Sequence, residues 1–215
     1  MSIAQNIEKI RQTLPARVRL VCVSKYHTAE DILEAYKAGE RDFAESRAQE
    51  LQLKAQTLPK DIHWHFIGHL QRNKAKLVCQ YVSMIQSVDS MRLIETLNSV
   101  SEEPIDILLE VHIAQEATKT GFSKQELINL LSSTDITQFS NIRIRGLMAM
   151  ATQTNNRDEI QHEFHEVKLL FDYIKTTFFP QSGCFDTLSM GMSDDYDLAI
   201  EEGCNMVRIG SRIFS

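Results

Sequence analysis

The feature that most constrains this chain is a repeated switch in apolar spacing, from every second residue to a period near 3.6, sustained across 215 residues. Strand-like runs fall at 18–26, 42–46, 63–69, 83–89, 106–113, 142–150, 187–191 and 205–214. Helical patterns follow the first seven, at 29–39, 48–57, 73–80, 90–100, from about 123, at 157–178 and at 194–202, and one more precedes the series. Gly39 stands where a helix C′ residue is expected, and Ser-Lys-Gln-Glu from Ser123 has the capping-box pattern. Strict alternation predicts a parallel sheet with helices outside it. Eight repeats predict a (β/α)8 TIM barrel with an additional N-terminal helix, residues 1–215 forming one domain. A doubly wound open sheet is the rival, but no G-x-G-x-x-G follows the first run. The last run ends almost at the C-terminus, so the leading helix is expected to cover surface that an eighth helix usually covers.

No Pro/Ser-rich linker divides the series. Lysine and arginine total 23 against 29 acidic residues, a net charge of −6 that argues against nucleic acid as a partner. Cys22, Cys79, Cys184 and Cys204 are scattered, with no C-x-x-C pair, which fits a reducing, cytoplasmic setting. MSIAQNIEKIRQTL at the start reads as an amphipathic helix rather than a signal peptide, and no apolar run approaches the roughly 20 residues of a membrane span.

In a barrel, chemistry lies at the C-terminal strand ends. Val21, Val23 and Lys25 alternate onto one face, so Lys25 is expected at the rim. Apolar neighbours there strip hydration and favour the neutral amine, which attacks aldehydes; a surface lysine just past a strand is the plain alternative. Met206, Arg208 and Gly210 share a face of the last run, and closure would set that run beside the first. Ile-Gly-Ser at 209–211 lets backbone N–H groups approach an anion with a hydroxyl beside them. Ser193 reads as the N-cap of the next helix. The loops after strands seven and eight are the recurrent phosphate site of such barrels, and a Schiff-base lysine beside that cradle points to pyridoxal 5′-phosphate (PLP).

The histidines offer a rival. His63, His65 and His69 have even spacing, and H-x-H is a metal-ligand arrangement, but a catalytic metal wants a carboxylate where the last run supplies Arg208. No metal site is expected, and His63 and His65 read instead as strand-entry and packing residues. His162 and His165 lack H-E-x-x-H spacing and read as a solvated helix face.

The motifs VSK at 23–25, FAESRAQE at 43–50, HFIG at 65–68, Leu70-Gln71, Asn73-Lys74, RGLM at 145–148, LSMGMSDD at 188–195 and VRIGS at 207–211 are spread over nearly the whole chain. Together they resemble the PLP homeostasis proteins, relatives of the barrel domain of alanine racemase. The resemblance implies that Lys25 carries PLP as a Schiff base, that Ser189, Gly210 and Ser211 hold the phosphate, and that Arg208 faces the pyridine nitrogen. A guanidinium there disfavours ring protonation and makes a weaker electron sink. Ser46 stands where the family has Asn, shortening a polar contact to the cofactor, and His69 stands where it has Pro. Lys119, in the loop after strand five, is read as facing the site side, where it binds an incoming phosphate or is simply an exposed loop lysine.

The expected protein is a monomeric PLP carrier acting in vitamin B6 homeostasis, with no catalytic residue assigned and PLP-dependent apoenzymes as its recipients. A PLP-dependent amino-acid racemase is the alternative. It needs a second base opposite Lys25, and the chain, ending at Ser215, is expected to lack the domain that supplies one.

Overall fold

Each run of alternating period becomes one parallel strand, with helices laid outside, in a computed structural model that describes residues 2–113, 120–181 and 183–215. The chain opens with α1 (Ile3–Thr13), then β1 (Arg19–Val23), α2 (Ala29–Lys37), β2 (Asp42–Glu45) and α3 (Ala48–Thr57). It continues through β3 (His63–Phe66), α4 (Ala75–Cys79), β4 (Val82–Val88), α5 (Met91–Val100), β5 (Ile105–Val111) and α6 (Lys124–Ser133). The last stretch holds β6 (Ile142–Ala149), α7 (Arg157–Phe178), β7 (Thr187–Ser189), α8 (Tyr196–Glu201), β8 (Met206–Ile209) and α9 (Ser211–Phe214). Short 3₁₀ turns at Arg72–Lys74 and Ile136–Gln138 interrupt the connections.

The eight strands pair in sequence order and close, β1 lying parallel to β8 with Val21 opposite Arg208. The fold is the (β/α)8 barrel that the alternation predicts. Two apolar layers hold it. The larger lies between strands and helices, with Phe43, Ile85, Ile107, Phe164 and Val207 all fully buried. The smaller fills the barrel interior with Val21, Val23, Ala44, Met84, Leu108, Met148 and Met206. Val21, Val23 and Met206 thus face inward, as their spacing predicts.

Local signals explain the element ends. Ser2, Thr28 and Ser123 each accept from the backbone N–H three residues on, while the Gln5, Asp31 and Glu126 side chains return the bond, forming three capping boxes. Gly39 follows α2 with φ of 102°.

The C-terminal run differs from its expectation of a single strand over 205–214. Only Met206–Ile209 is strand, and Ser211–Phe214 turns into a helix that buries Ile213. A short eighth helix therefore exists, and α1 packs against it rather than replacing it. Asn6 Nδ2 donates to the carbonyls of Ile213 (3.0 Å) and Ser215 (3.2 Å), tying the two ends of the chain together.

Candidate functional site at the barrel mouth

Barrel closure builds the site. Val23 lies opposite Ala44 on β2, and Lys25 and Ser46 follow two residues later at the same ends of the two neighbouring strands. On the other side Val21 faces Arg208, which brings Val23 level with Gly210; a Cβ on Gly210 would stand 3.1 Å from the Val23 carbonyl. Lys25, Ser46, Gly210 and Ser211 therefore share one arc of the rim, with Arg208 below.

Lys25 occupies the corner of a tight turn. His27 N donates to the Ser24 carbonyl at 3.1 Å, and Tyr26 takes φ of 70°, the left-handed conformation required late in a type II turn. For a tyrosine this costs on the order of 1 kcal/mol, so the surroundings must hold it. Arg47 lies 5.2 Å over the Tyr26 ring, and His27 stacks on Phe214 of α9 with centroids 4.5 Å apart. Lys25 itself is exposed, in contrast to the desolvated setting expected from its apolar neighbours, because the turn lifts it clear of the interior layer.

Beneath the turn lies an ion pair that the motifs did not reveal. Glu45, fully buried at the end of β2, accepts from Lys54 Nζ at 2.7 Å and from the Ser24 hydroxyl at 2.6 Å. Lys54 also donates to the Ser24 carbonyl at 2.9 Å, gripping the peptide bond that leads into Lys25. Burial pushes the Glu45 carboxyl up from its ordinary value, against the hydrogen bonds of Lys54 and Ser24. Ser46 follows, half-buried, and Gly68 lies so close that a Cβ there would sit 2.1 Å from the Ser46 carbonyl.

Arg208 is buried. One terminal nitrogen donates to the Ser189 hydroxyl at 2.7 Å and the other to the Ala149 carbonyl at 2.9 Å, which takes the guanidinium to the ends of β6 and β7. Burial pushes its pKa down to about 10 while Asp195 and Glu110 oppose, so it stays a cation at neutral pH. Glu110, near the end of β5, is buried as well and accepts from the Thr120 hydroxyl at 3.2 Å; desolvation raises its pKa.

The β7–α8 loop runs alongside β8. Arg208 N donates to the Gly191 carbonyl at 3.0 Å and Gly210 N to the Ser193 hydroxyl at 3.3 Å. Ser193 is thus not the cap of α8. Asp195 occupies that position, without a capping side-chain bond, and Ser193 belongs beside Gly210 and Ser211. Gly191 makes this path feasible: its φ is 87°, and a Cβ would come within 2.6 Å of the Ala199 Cβ. Ser189, expected at the phosphate, lies fully buried with its hydroxyl engaged by Arg208 and Gln86, so the geometry joins it to the guanidinium and Ser193 to the cradle. A cavity of 880 Å³ opens beside the cradle, lined in part by Met150, Thr152, Gln153, Met192, Asp194 and Asp195.

The three spaced histidines do not converge. His63 and His65 both lie against Asp42 at the far end of β2, at 3.4 and 3.3 Å, whereas His69 pairs with Asp89 at 3.1 Å on the rim. Among the described residues no group of three or more His, Cys, Asp or Glu is arranged to hold a metal ion. His165 pairs with Glu202 on the outer surface at 2.9 Å. Lys119 lies outside the described residues.

Residues 1–215 match the family described as alanine racemase, N-terminal domain. The pyridoxal phosphate homeostasis protein of Vibrio alginolyticus is 37% identical over 99% of this chain and 97% of its own length. Its counterpart in Synechocystis sp. is 39% identical over 96% of this chain and 94% of its own. Among solved structures, PipY of Synechococcus elongatus PCC7942 without PLP superposes with a TM-score of 0.92 at 34% identity, covering 99% of this chain and all of its own. PipY with PLP bound gives 0.89 at 33% identity over the same share. The chain belongs to the pyridoxal phosphate homeostasis proteins, within the alanine racemase N-terminal domain family.

Proposed function

We propose that this protein binds pyridoxal 5′-phosphate as a Schiff base on Lys25 and serves intracellular PLP homeostasis without strong turnover of its own. The observation that carries the reading is one arc of rim. It sets an exposed lysine amine beside a glycine and hydroxyl cradle, with a buried cation below. The donor set fits the cofactor. Ser211 offers its backbone N–H and hydroxyl to a phosphate, while Gly210 donates its N–H to the Ser193 oxygen and so leaves the Ser193 hydroxyl proton for the same anion; no cluster of lysines is required. Among the described residues two Arg208 nitrogens each have one neutral acceptor, which leaves further N–H groups of the guanidinium for a ring nitrogen. Ser189 serves the cofactor through Arg208, and Ser46 gives a short polar contact beside Lys25.

When bound, PLP supplies a reactive aldehyde and an electron sink. The residues of this chain hold that aldehyde on a lysine and keep a cation at the ring. Arg208 donates rather than accepts, so the ring nitrogen stays unprotonated and carbanion chemistry is weakly favoured. The names of the relatives, homeostasis proteins rather than racemases, support a carrier. The same reading has residues 1–215 act as one cytoplasmic, monomeric PLP-binding barrel domain that supplies PLP-dependent apoenzymes. The net charge of −6 disfavours nucleic acid as a partner, and no helix among the described residues is long and apolar enough to cross a membrane.

A spectrum of freshly purified protein before and after borohydride, with peptide mapping of the reduced adduct, tests the assignment. The label is expected on Lys25, and Lys25→Ala is expected to lose the absorption band; full retention by that variant overturns the assignment. Exchange of amino-acid α-protons in D₂O at about 1 s⁻¹ or faster would replace the carrier with an enzyme.

A further inference from the structure

Most of the barrel interior is apolar, yet a line of polar side chains crosses it, buried from Arg208 to His65. Arg208 donates to the Ser189 hydroxyl at 2.7 Å, and that hydroxyl donates to Gln86 Oε1 at 2.7 Å. Gln86 Nε2 meets His65 Nδ1 at 2.9 Å, and His65 Nε2 meets Asp42 Oδ1 at 3.3 Å. Arg19 then anchors Asp42 from the open end of the barrel, with Nε at 2.8 Å from Oδ2. The line runs through β8, β7, β4, β3, β2 and β1, so it belongs to no local motif.

Its polarity is fixed from both ends. A guanidinium donates and cannot accept, so the Ser189 oxygen accepts and its single proton goes to Gln86. Gln86 must then turn its amide nitrogen to His65, whose Nδ1 accepts, leaving the imidazole proton on Nε2 for Asp42. Burial lowers the pKa of His65 and keeps the ring neutral. Burial acts against the charge of Asp42, but hydrogen bonds from His65 and Arg19 hold its carboxyl well below the usual range, so it only accepts. Flipping the Gln86 amide would oppose two lone pairs at His65 and take from the Ser189 proton its acceptor. Among the described residues Arg208, by contrast, hydrogen-bonds only neutral acceptors, a hydroxyl and a carbonyl, which by themselves set its orientation weakly.

We propose that Gln86 and His65 are positioning residues for Arg208: through Ser189 they lock the guanidinium in the orientation that presents its free N–H groups to the ring nitrogen of bound PLP. The inference rests on the PLP reading above for its ligand, but its mechanical part concerns Arg208 alone. Apolar side chains would pack this layer without desolvating four polar groups, and a satisfied buried network specifies one arrangement where packing would allow several.

The test compares Gln86→Leu, Gln86→Met, His65→Leu and His65→Asn. The Asn carbonyl replaces Nδ1 as acceptor and is expected to restore the relay. In unloaded protein, the ¹⁵N–¹H resonances of the Arg208 side chain are expected to be sharp in the wild type and in His65→Asn, and broadened in the Leu and Met variants. In loaded protein, PLP affinity is expected to fall about tenfold in the same variants, with a shifted absorption band, and to recover in His65→Asn. His65 is buried and three hydrogen bonds from Arg208, so loss of packing alone lowers Tm without moving either signal. Lower Tm with unchanged Arg208 resonances and an unchanged band overturns the proposal. Should the Leu variants not fold, Gln86→Met against His65→Asn gives the same comparison. A wild type left unlabelled at Lys25 by borohydride, with the Arg208 response intact, would sink the PLP reading and leave the relay's hold on Arg208 supported.

Discussion

Replacing Lys54 with methionine removes the cation from a pair whose carboxylate has no access to solvent. Glu45 is 0% exposed and Lys54 12%, with 2.7 Å between Nζ and Oε1. Among the described residues Glu45 Oε2 has no hydrogen-bond partner, so Lys54 and Ser24 carry the compensation for burying this charge. Removing one member of such a pair costs about 3–5 kcal/mol. With a urea m-value of about 2 kcal/mol per M, the midpoint should fall by about 2 M.

The loss should depend on pH with a definite sign. Burial raises the Glu45 pKa above 4.5 in the folded state, and the Lys54 bond is the first contribution opposing that rise. A raised folded pKa contributes stability below the unfolded value and loses it as pH climbs through the folded one. Lys54→Met raises the folded pKa further, so its penalty should be small at about pH 5 and full at about pH 8. Glu45→Gln together with Lys54→Met leaves no buried charge and should recover most of the loss at the higher pH. Urea titrations of the wild type, Lys54→Met and the double variant at both pH values decide the matter. A penalty equal at both, or a double variant no more stable than Lys54→Met, refutes the reasoning.

Two further outcomes follow from the cradle and the thiols. Gly191→Ala forces a side chain into φ of 87° and to within 2.6 Å of the Ala199 Cβ, so the loop beside β8 must move. The preference for PLP over unphosphorylated pyridoxal should drop about tenfold, read by fluorescence titration, and an unchanged ratio would count against the cradle. Burial pushes the Cys204 thiol up to about 12 and the Cys22 thiol well above 9.0, whereas Cys184 is exposed. A thiol-reactive dye should label Cys184 first and reach Cys22 and Cys204 only on unfolding; prompt labelling of Cys204 in the native protein would contradict this.

Periodicity exposes elements whose contacts repeat along the chain. The helices at 48–57 and 157–178 match their patterns residue for residue, because apolar spacing and capping act within a few residues. The capping box at Ser123 is legible for the same reason. Ser193 shows the limit: a serine before a helix looks like a cap, but its partner is the N–H of Gly210, just past β8 and 17 residues away. Lys54 and Gln86 are not legible in the sequence, because nothing near them in the chain signals a role. One is an ordinary amphipathic-helix lysine until β1 and β2 bring Ser24 and Glu45 to it; the other is a polar residue in an apolar strand whose partners lie on β3 and β7.

By itself the sequence determined the order of strands and helices, the barrel, and the candidates Lys25, Arg208, Gly210 and Ser211 at two strand ends, since strand alternation and glycine placement are local in the chain. Only the tertiary structure decided which of these meet and what holds them. Closure of β1 onto β8 set the lysine above the arginine, and a fixed direction of hydrogen bonding across six strands set the arginine. The reason is physical: a buried donor must find an acceptor wherever the fold puts one, and in a closed sheet that acceptor is usually far away in sequence.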